Sequence, residues 1–309
     1  MTAVLVVLAF SFAWSIGSHY TGACMGMPYA LGAIRARAAL ALMAPLALAG
    51  AVLASGKVAH TVGLGLIDAT PTILGEIVIV SVAFGITALY NRARIPTSTI
   101  QILVGAVAGV AIGARVGVHW HTIGILVVIW VAAPPVAALL GFAGGKTLAG
   151  VKRVGGALVL VGCAASFAMG ANDVALASGA LVGPDVLNAR AAGALCGVGI
   201  AAGVLITGRR LLDRVAFDIV EVDRPTATTA QLVQALVILV AVSFGYFTSL
   251  NQALVGAMTG AGFARGRHAV HTRTLVGIVR GWVIGPPSSF AVALLIALAV
   301  HAAGGSLAH

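Results

Sequence analysis

Residues 166–184 read SFAMGANDVALASGALVGP and place an asparagine and an aspartate, Asn172 and Asp173, inside a glycine-rich apolar stretch. A related stretch lies earlier in the chain. Residues 17–50 align without a gap with residues 170–203 at an offset of 153 residues. Upstream of each copy stands the tripeptide Ser-Phe-Ala, at residues 11–13 and 166–168. An internal repeat therefore organises this chain.

Two further blocks recur in the same order. Thr97-Ser98 with Gln101 returns as Thr248-Ser249 with Gln252, and Trp130 with a Pro-Pro pair four residues on returns as Trp282 with a second pair. The spacing predicts two halves, 1–150 and 151–309. The first half contains about five apolar segments, at residues 2–16, 38–56, 73–91, 98–114 and 122–143. An odd number of crossings makes the two halves antiparallel.

The composition places these segments in a membrane. Only 8% of the 309 residues are charged and 60% are hydrophobic, whereas about 25% of a typical soluble domain is charged. The mean hydropathy is +1.09. Lipid leaves backbone groups no water to bond, and about 20 apolar residues span a bilayer as a helix. We expect a multi-pass protein of the cell membrane, the inner membrane in a bacterium, whose N-terminal apolar run is the first membrane segment.

Inverted repeats with interrupted helices are typical of secondary transporters, which bind substrate near the bilayer midplane. The sequence predicts interruptions at the Gly-rich stretches 17–32 and 170–184 and at the polar stretches 95–101 and 245–252. The predicted fold is all-α and polytopic: two inverted-topology repeats with broken or re-entrant helices and about 10–12 membrane segments. The charged stretch within about 208–228 is expected to form a cytoplasmic loop.

Acidic residues are scarce enough to be considered singly. Asp173 lies in a repeated interruption, and an ionisable residue at membrane depth is a functional candidate, although a helix cap would also suit it. Glu76 is expected in a first helical turn at the membrane surface, with a role in ion coupling as the alternative. Asp68 and Asp185 are interpreted as caps.

Hydroxyl and amide side chains cluster at the second pair of interruptions. Such groups at a helix N-terminus can hold an anion, aided by free backbone N–H groups and the helix dipole. Hydrogen bonding between membrane helices is the structural alternative. His19 lies in the first interruption and is interpreted as a proton relay, as a hydrogen-bond donor to an anion, or as a packing residue. The clusters comprise Thr97, Ser98, Thr99 and Gln101 in the first half and Thr248, Ser249, Asn251 and Gln252 in the second.

These motifs resemble those of the inorganic phosphate transporter (PiT) family. The residues that carry the resemblance are Gly170-Ala171-Asn172-Asp173-Val174-Ala175, Pro96-Thr97-Ser98-Thr99-Ile100-Gln101 and a weaker second copy, Phe247-Thr248-Ser249-Leu250-Asn251-Gln252. The first Asn-Asp signature is missing, since residues 17–26 read GSHYTGACMG without a carboxylate. In this respect the chain is similar to the sulfate permease branch of the family. Sulfate only accepts hydrogen bonds, whereas phosphate near neutral pH can still donate one to a carboxylate.

The resemblance implies a secondary-active permease that imports a tetrahedral inorganic oxyanion by symport, sulfate favoured over phosphate and protons over sodium. It also implies a homodimer in the bilayer. We expect Ser18, Thr97, Ser98, Thr99, Asn172, Asp173, Thr248, Ser249 and Asn251 to bind the anion. Asp173 is the main candidate for ion coupling, with Gln101, Gln252 and Glu76 as further candidates. No cofactor and no metal site are predicted.

Other function classes find less support in the sequence. No nucleophile stands beside a base, so we do not expect an enzyme. The net charge of +10 comes largely from arginines between apolar runs, where they favour cytoplasmic loops. No basic face alternates with stacking aromatics, so no nucleic-acid partner is expected. A non-transporting receptor or assembly subunit, and a channel, remain as alternatives.

Overall fold

The computed structural model describes residues 1–93, 97–148, 155–212, 222–266 and 270–308. Across these ranges the chain forms α-helices joined by short turns, with two isolated β-bridges and no sheet, so the all-α prediction is confirmed. In chain order the helices are α1 (Thr2–Thr21), α2 (Met27–Ala30), α3 (Ala36–Leu53), α4 (Gly56–Leu64), α5 (Ile73–Arg92), α6 (Thr99–Gly113), α7 (Trp120–Thr147), α8 (Gly155–Asp173), α9 (Ala175–Val182), α10 (Ala189–Ile206), α11 (Arg224–Ser243), α12 (Leu250–Arg265) and α13 (Thr272–Ala302).

Eight helical stretches in the described ranges are long and apolar enough to cross a membrane. Two of them join consecutive helices: Thr2–Ala30 contains α1 and α2, and Gly155–Val182 contains α8 and α9. Helices α6 and α12 have 15 and 16 residues, a rise of only about 23 Å against the roughly 30 Å of a hydrocarbon core. The eight long apolar stretches fit a polytopic membrane protein. The lengths of α6 and α12 fit helices that begin inside the membrane region.

The two Gly-rich stretches stay largely helical, which corrects the interruptions predicted there. In the first, a π-helical turn at Gly22–Gly26 joins α1 to α2. In the second, Val174 alone separates α8 from α9 and keeps helical φ and ψ angles. In a lipid environment, backbone N–H and C=O groups must form hydrogen bonds within the protein. The Gly-rich stretches therefore keep helical hydrogen bonding despite their many glycines. A π-turn often marks a functional position.

The second pair of interruptions, predicted at 95–101 and 245–252, is confirmed in part, because residues 95 and 96 lie outside the described ranges and the helices resume at Thr99 and Leu250. Thr97 and Ser98 are non-helical and lead into α6, while residues 244–249 separate α11 from α12 with Gly245 at a φ of +80°. A side chain at that φ would be strained, which favours glycine. Both short helices therefore present their first turns, whose backbone N–H groups cannot bond within the helix, inside the protein.

Helices of the first half pack mainly on helices of the second. Helix α1 packs on α10, α3 on α8 and α10, α6 on α13, and α7 on α12. Gly17 of α1 touches the backbone carbonyl of Ile200, and Gly170 of α8 touches that of Ala47. Adding the offset of 153 residues to 17 and 47 gives 170 and 200, so each contact is the repeat counterpart of the other. The division of the chain into repeats 1–150 and 151–309 stays a prediction. Two inverted repeats would be expected to form reciprocal contacts of this kind.

Three sequence interpretations need correction. The predicted loop at 208–228 is shorter, because Gly208–Arg210 form a 3-10 turn and α11 begins at Arg224; residues 213–221 lie outside the described ranges. Asp68 and Asp185 are not helix caps. The side chain of Thr72 caps α5 and that of Asn188 caps α10, whereas Asp68 pairs with His119 at the surface.

Candidate functional site

Asn172 ties the end of α8 to the segment that precedes α12. Its Nδ2 donates a hydrogen bond to the carbonyl oxygen of Thr248 at 2.9 Å, and the backbone N–H of Thr248 donates to Oδ1 of Asn172 at 3.2 Å. Asn172 is fully buried. One amide side chain thus satisfies both backbone groups of a non-helical residue, as buried backbone requires.

The carboxylate of Asp173 lies beside this amide. Its Oδ2 accepts a hydrogen bond from Nδ2 of Asn172 at 3.1 Å, whereas Oδ1 has no partner among the described residues. Asp173 is fully buried. A buried carboxylate with a free oxygen is costly to keep ionised, so this group is suited to exchange a proton or to face a ligand.

Tyr20 reaches the same place from α1, and the sequence prediction missed it. Its hydroxyl lies close to the side chains of Asp173 and Thr99, yet it makes no hydrogen bond of ordinary geometry. Within an apolar helix a tyrosine resembles a core residue. The signal that could have found it is the offset of 153 residues, at which Tyr20 aligns with Asp173.

The first turns of α6 and α12 supply the hydroxyl groups. Thr97, Ser98 and Thr99 are buried, and Oγ of Ser98 has no hydrogen-bond partner in the described part of the chain. At α12, Oγ of Ser249 accepts from the backbone N–H of Gln252 at 3.4 Å, while Oγ1 of Thr248 has no partner among the residues that the structure describes. The expected hydroxyl clusters therefore lie at buried helix N-termini, where a positive end potential favours an anion.

Unpaired polar atoms concentrate around these two turns. Oε1 of Gln101 and Oε1 of Gln252 are buried acceptors that receive no hydrogen bond in the ranges described. Native proteins pair nearly all such atoms. Together with the atoms of Tyr20, Ser98, Asp173 and Thr248 that lack partners in the described residues, they leave hydroxyl donors and oxygen acceptors available to a polar ligand.

Helix α11 supports this arrangement through two glutamines that the sequence prediction did not single out. Nε2 of Gln231 donates to the carbonyl oxygen of Cys24 in the π-turn at 2.5 Å, and Nε2 of Gln234 donates to that of Leu250 at 3.3 Å. Both side chains are fully buried. Polar residues on an otherwise apolar membrane helix commonly bond across helices, which is the signal that could have found them.

Two predicted residues, Ser18 and Glu76, are not brought to this cluster, and a third, Asn251, lies in the first turn of α12. Ser18 turns its hydroxyl to α10, where it contacts Thr207 and donates to the carbonyl oxygen of Gly203 at 3.2 Å. Asn251 is half-buried and forms no hydrogen bond through its side chain within the described ranges. Glu76 is buried in the first turn of α5, so its predicted position in the helix is right, but it lies under Gly183 after α9 and not at an exposed surface.

A family model matches the chain twice. The model describes the phosphate transporter family, and its matches cover residues 16–153 and 151–293. The chain belongs to the phosphate transporter family. This confirms the resemblance drawn from the motifs, and with eight apolar spans it identifies a multi-pass transporter of the cell membrane.

Relatives in the phosphate transporter family carry two kinds of name. The sulfate permease CysP of Bacillus subtilis is 29% identical over 96% of this chain and 87% of its own length. The "Probable low-affinity inorganic phosphate transporter" of Mycobacterium bovis is 32% identical over 98% of this chain and 78% of its own length. The names alone do not separate the two substrates.

A solved structure has the same fold. The chain named "The sodium-dependent phosphate transporter" superposes with a TM-score of 0.87 at 22% identity, over 97% of this chain and 99% of the other. At this identity the likeness concerns the fold. The two chains therefore share the overall arrangement of their helices.

Proposed function

We propose that this protein is a secondary-active permease that imports a tetrahedral inorganic oxyanion, with sulfate favoured over phosphate, by symport with protons. The observation that carries the proposal is the buried cluster around Asp173, in which hydroxyls from both halves have no hydrogen-bond partner among the described residues. Its donors include Tyr20, Ser98 and Thr248. Hydroxyl groups and the N-termini of α6 and α12 match the charge and the acceptor oxygens of such an anion.

Sulfate is favoured because the cluster contains one carboxylate. Sulfate oxygens accept hydrogen bonds and are repelled by a carboxylate, whereas a phosphate that retains a proton can donate one to it. The first half has no acidic residue in its Gly-rich stretch, so Asp173 faces no second carboxylate from that stretch. The similarity to a sulfate permease over nearly the whole chain agrees with this preference.

Phosphate is the alternative substrate. It is favoured by the mycobacterial relatives, which are slightly more similar in sequence, and by Asp173 itself, whose free oxygen could accept a hydrogen bond from a protonated phosphate. The carboxylate of Asp173 would repel sulfate, whereas it could accept a hydrogen bond from a protonated phosphate. A measurement of competition between them therefore decides the question.

The coupling ion is assigned to the acceptors of the cluster. Asp173 is the proposed proton carrier, because protonation would remove its charge as the anion binds. Gln101 and Gln252 each hold an unpaired carbonyl oxygen near the α6 and α12 first turns, and oxygen ligands of this kind would suit sodium as the alternative ion. Glu76 is buried elsewhere and would act at a separate step.

The test uses purified protein in proteoliposomes with labelled sulfate outside. An inward proton gradient should drive saturable uptake, and unlabelled sulfate or thiosulfate should inhibit it more strongly than phosphate or arsenate. A sodium gradient at constant pH should add little. Uptake of labelled phosphate that sulfate does not inhibit would contradict the sulfate assignment, and flux that neither saturates nor responds to protons would indicate a channel.

A further inference from the structure

The two halves carry side chains of different chemistry at corresponding positions of the site. At the offset of 153 residues that aligns residues 17–50 with 170–203, Asp173 corresponds to Tyr20 and Asn172 to His19. The first half therefore presents a phenol where the second half presents a carboxylate. The hydroxyl pairs Thr97-Ser98 and Thr248-Ser249 occur in both halves, so they cannot account for a difference between them.

The hydroxyl of Tyr20 is buried beside Asp173 and Thr99 without a hydrogen bond of ordinary geometry to either side chain. The side chain is 1% exposed, and its oxygen has no hydrogen-bond partner in the described ranges. Buried tyrosines ordinarily find a partner for this group. The ring is held edge-on against the ring of His19, with 5.1 Å between the centroids, and the hydroxyl lies close to Asp173 and Thr99.

A phenol changes what this position can do for a ligand. A carboxylate only accepts hydrogen bonds when ionised and repels an anion, whereas a tyrosine hydroxyl is neutral and donates one. A fully deprotonated oxyanion needs donors on every side. An oxyanion that retains a proton also needs an acceptor, which an additional carboxylate would supply.

We propose that the Tyr20 hydroxyl donates a hydrogen bond to the transported oxyanion and thereby gives the site its preference for fully deprotonated oxyanions such as sulfate. The inference rests on the proposed function and names the residue that sets its specificity. At this position Tyr20 supplies a hydrogen-bond donor, whereas a second carboxylate would repel the anion. Asp173, on the opposite half, keeps the acceptor needed for the coupling proton.

The isosteric change Tyr20→Phe tests the donor. It removes one oxygen and keeps the ring, so the fold around His19 should persist. Because hydrogen bonds to charged groups are the stronger ones, we expect the concentration of sulfate at half-maximal uptake to rise by roughly tenfold, with a smaller effect on inhibition by phosphate. Tyr90→Phe is the matched control, since the Tyr90 hydroxyl bonds Ser288 at 2.5 Å outside the site, and it should leave sulfate uptake unchanged.

The change Tyr20→Asp tests the preference itself. It restores a carboxylate and should shift inhibition of uptake from sulfate toward phosphate and arsenate, in protein that still elutes as a single species from size exclusion. If this variant does not fold, the phenylalanine variant still decides whether the donor acts on sulfate.

The outcomes separate the two proposals. Wild-type protein that takes up neither anion would contradict the proposed function whatever Tyr20 does. Wild-type uptake of sulfate together with an unchanged Tyr20→Phe variant would leave the function standing and overturn the role of Tyr20. Equal losses for sulfate and phosphate in Tyr20→Phe would overturn the specificity assigned to this residue.

Discussion

Asn172 is the residue on which the local geometry of the site depends. It satisfies the N–H and the carbonyl oxygen of Thr248 at once, and removing it leaves both groups buried without partners. We expect Asn172→Ala to lower the stability by about 2 kcal/mol, since each unsatisfied buried group costs about 1–3 kcal/mol and some relaxation follows. The melting temperature in detergent measures this.

Asn91→Ala is the control for this change, because Asn91 lies in the last turn of α5, away from the clamp. It should melt at the wild-type temperature. An Asn172→Ala variant as stable as this control would mean that the clamp on Thr248 does not hold the segment before α12.

Asp173 is expected to link transport to the proton gradient. An amide cannot bind and release a proton, so Asp173→Asn should abolish the stimulation of uptake by an acidic exterior, while exchange of labelled for unlabelled anion at equal pH persists. Asp68→Asn is a matched control, since Asp68 is an exposed carboxylate that pairs with His119. Uptake by Asp173→Asn that still increases as the external pH falls would remove this residue from coupling.

At the scale of the helix, the N-terminal serines of α6 and α12 have different roles. Ser249 accepts the hydrogen bond that caps α12, whereas Ser98 occupies the same position of α6 and caps nothing. A cap contributes typically about 1 kcal/mol. We therefore expect Ser249→Ala to lower the melting temperature, and Ser98→Ala to leave it unchanged while it weakens anion uptake.

The melting temperature and the anion uptake of the Ser98→Ala and Ser249→Ala variants are measured on the same preparations. Thr72→Ala is the reference for a lost cap, because the side chain of Thr72 caps α5 by accepting a 3.0 Å hydrogen bond from the N–H of Gly75. Ser98→Ala protein that melts as early as this reference would show that Ser98 is structural. Unchanged uptake in Ser98→Ala would remove it from the site.

The helices show which parts of the site could be predicted. The interruptions before α6 and α12 were predictable because the polar residues Thr-Ser and Gln recur there in both halves. The Gly-rich stretches kept helical hydrogen bonding, which composition alone could not reveal. Because α1 continues through this stretch, Ser18 and Tyr20 point about 160° apart on the helix, so only one of them can face Asp173.

At the scale of the whole molecule, the helices of the two halves are held together by contacts in which glycine touches backbone. A Cβ on Gly170 would lie 1.9 Å from the carbonyl oxygen of Ala47, and one on Gly17 would lie 2.1 Å from that of Ile200. Small residues of this kind let membrane helices approach closely. Neither carbonyl can move away alone, because each belongs to a helix.

We expect Gly17→Ala and Gly170→Ala to destabilise the protein to a similar extent, with a loss of about 2 kcal/mol or more, since overpacking a close contact forces the helices apart. Thermal unfolding in detergent measures the two losses. Gly85→Ala is the control, because nothing lies within 4 Å of a Cβ there. The two glycines exchange under the repeat offset, so similar losses are what inverted repeats require. A variant at either position that unfolds like Gly85→Ala would show that the two halves are not packed reciprocally.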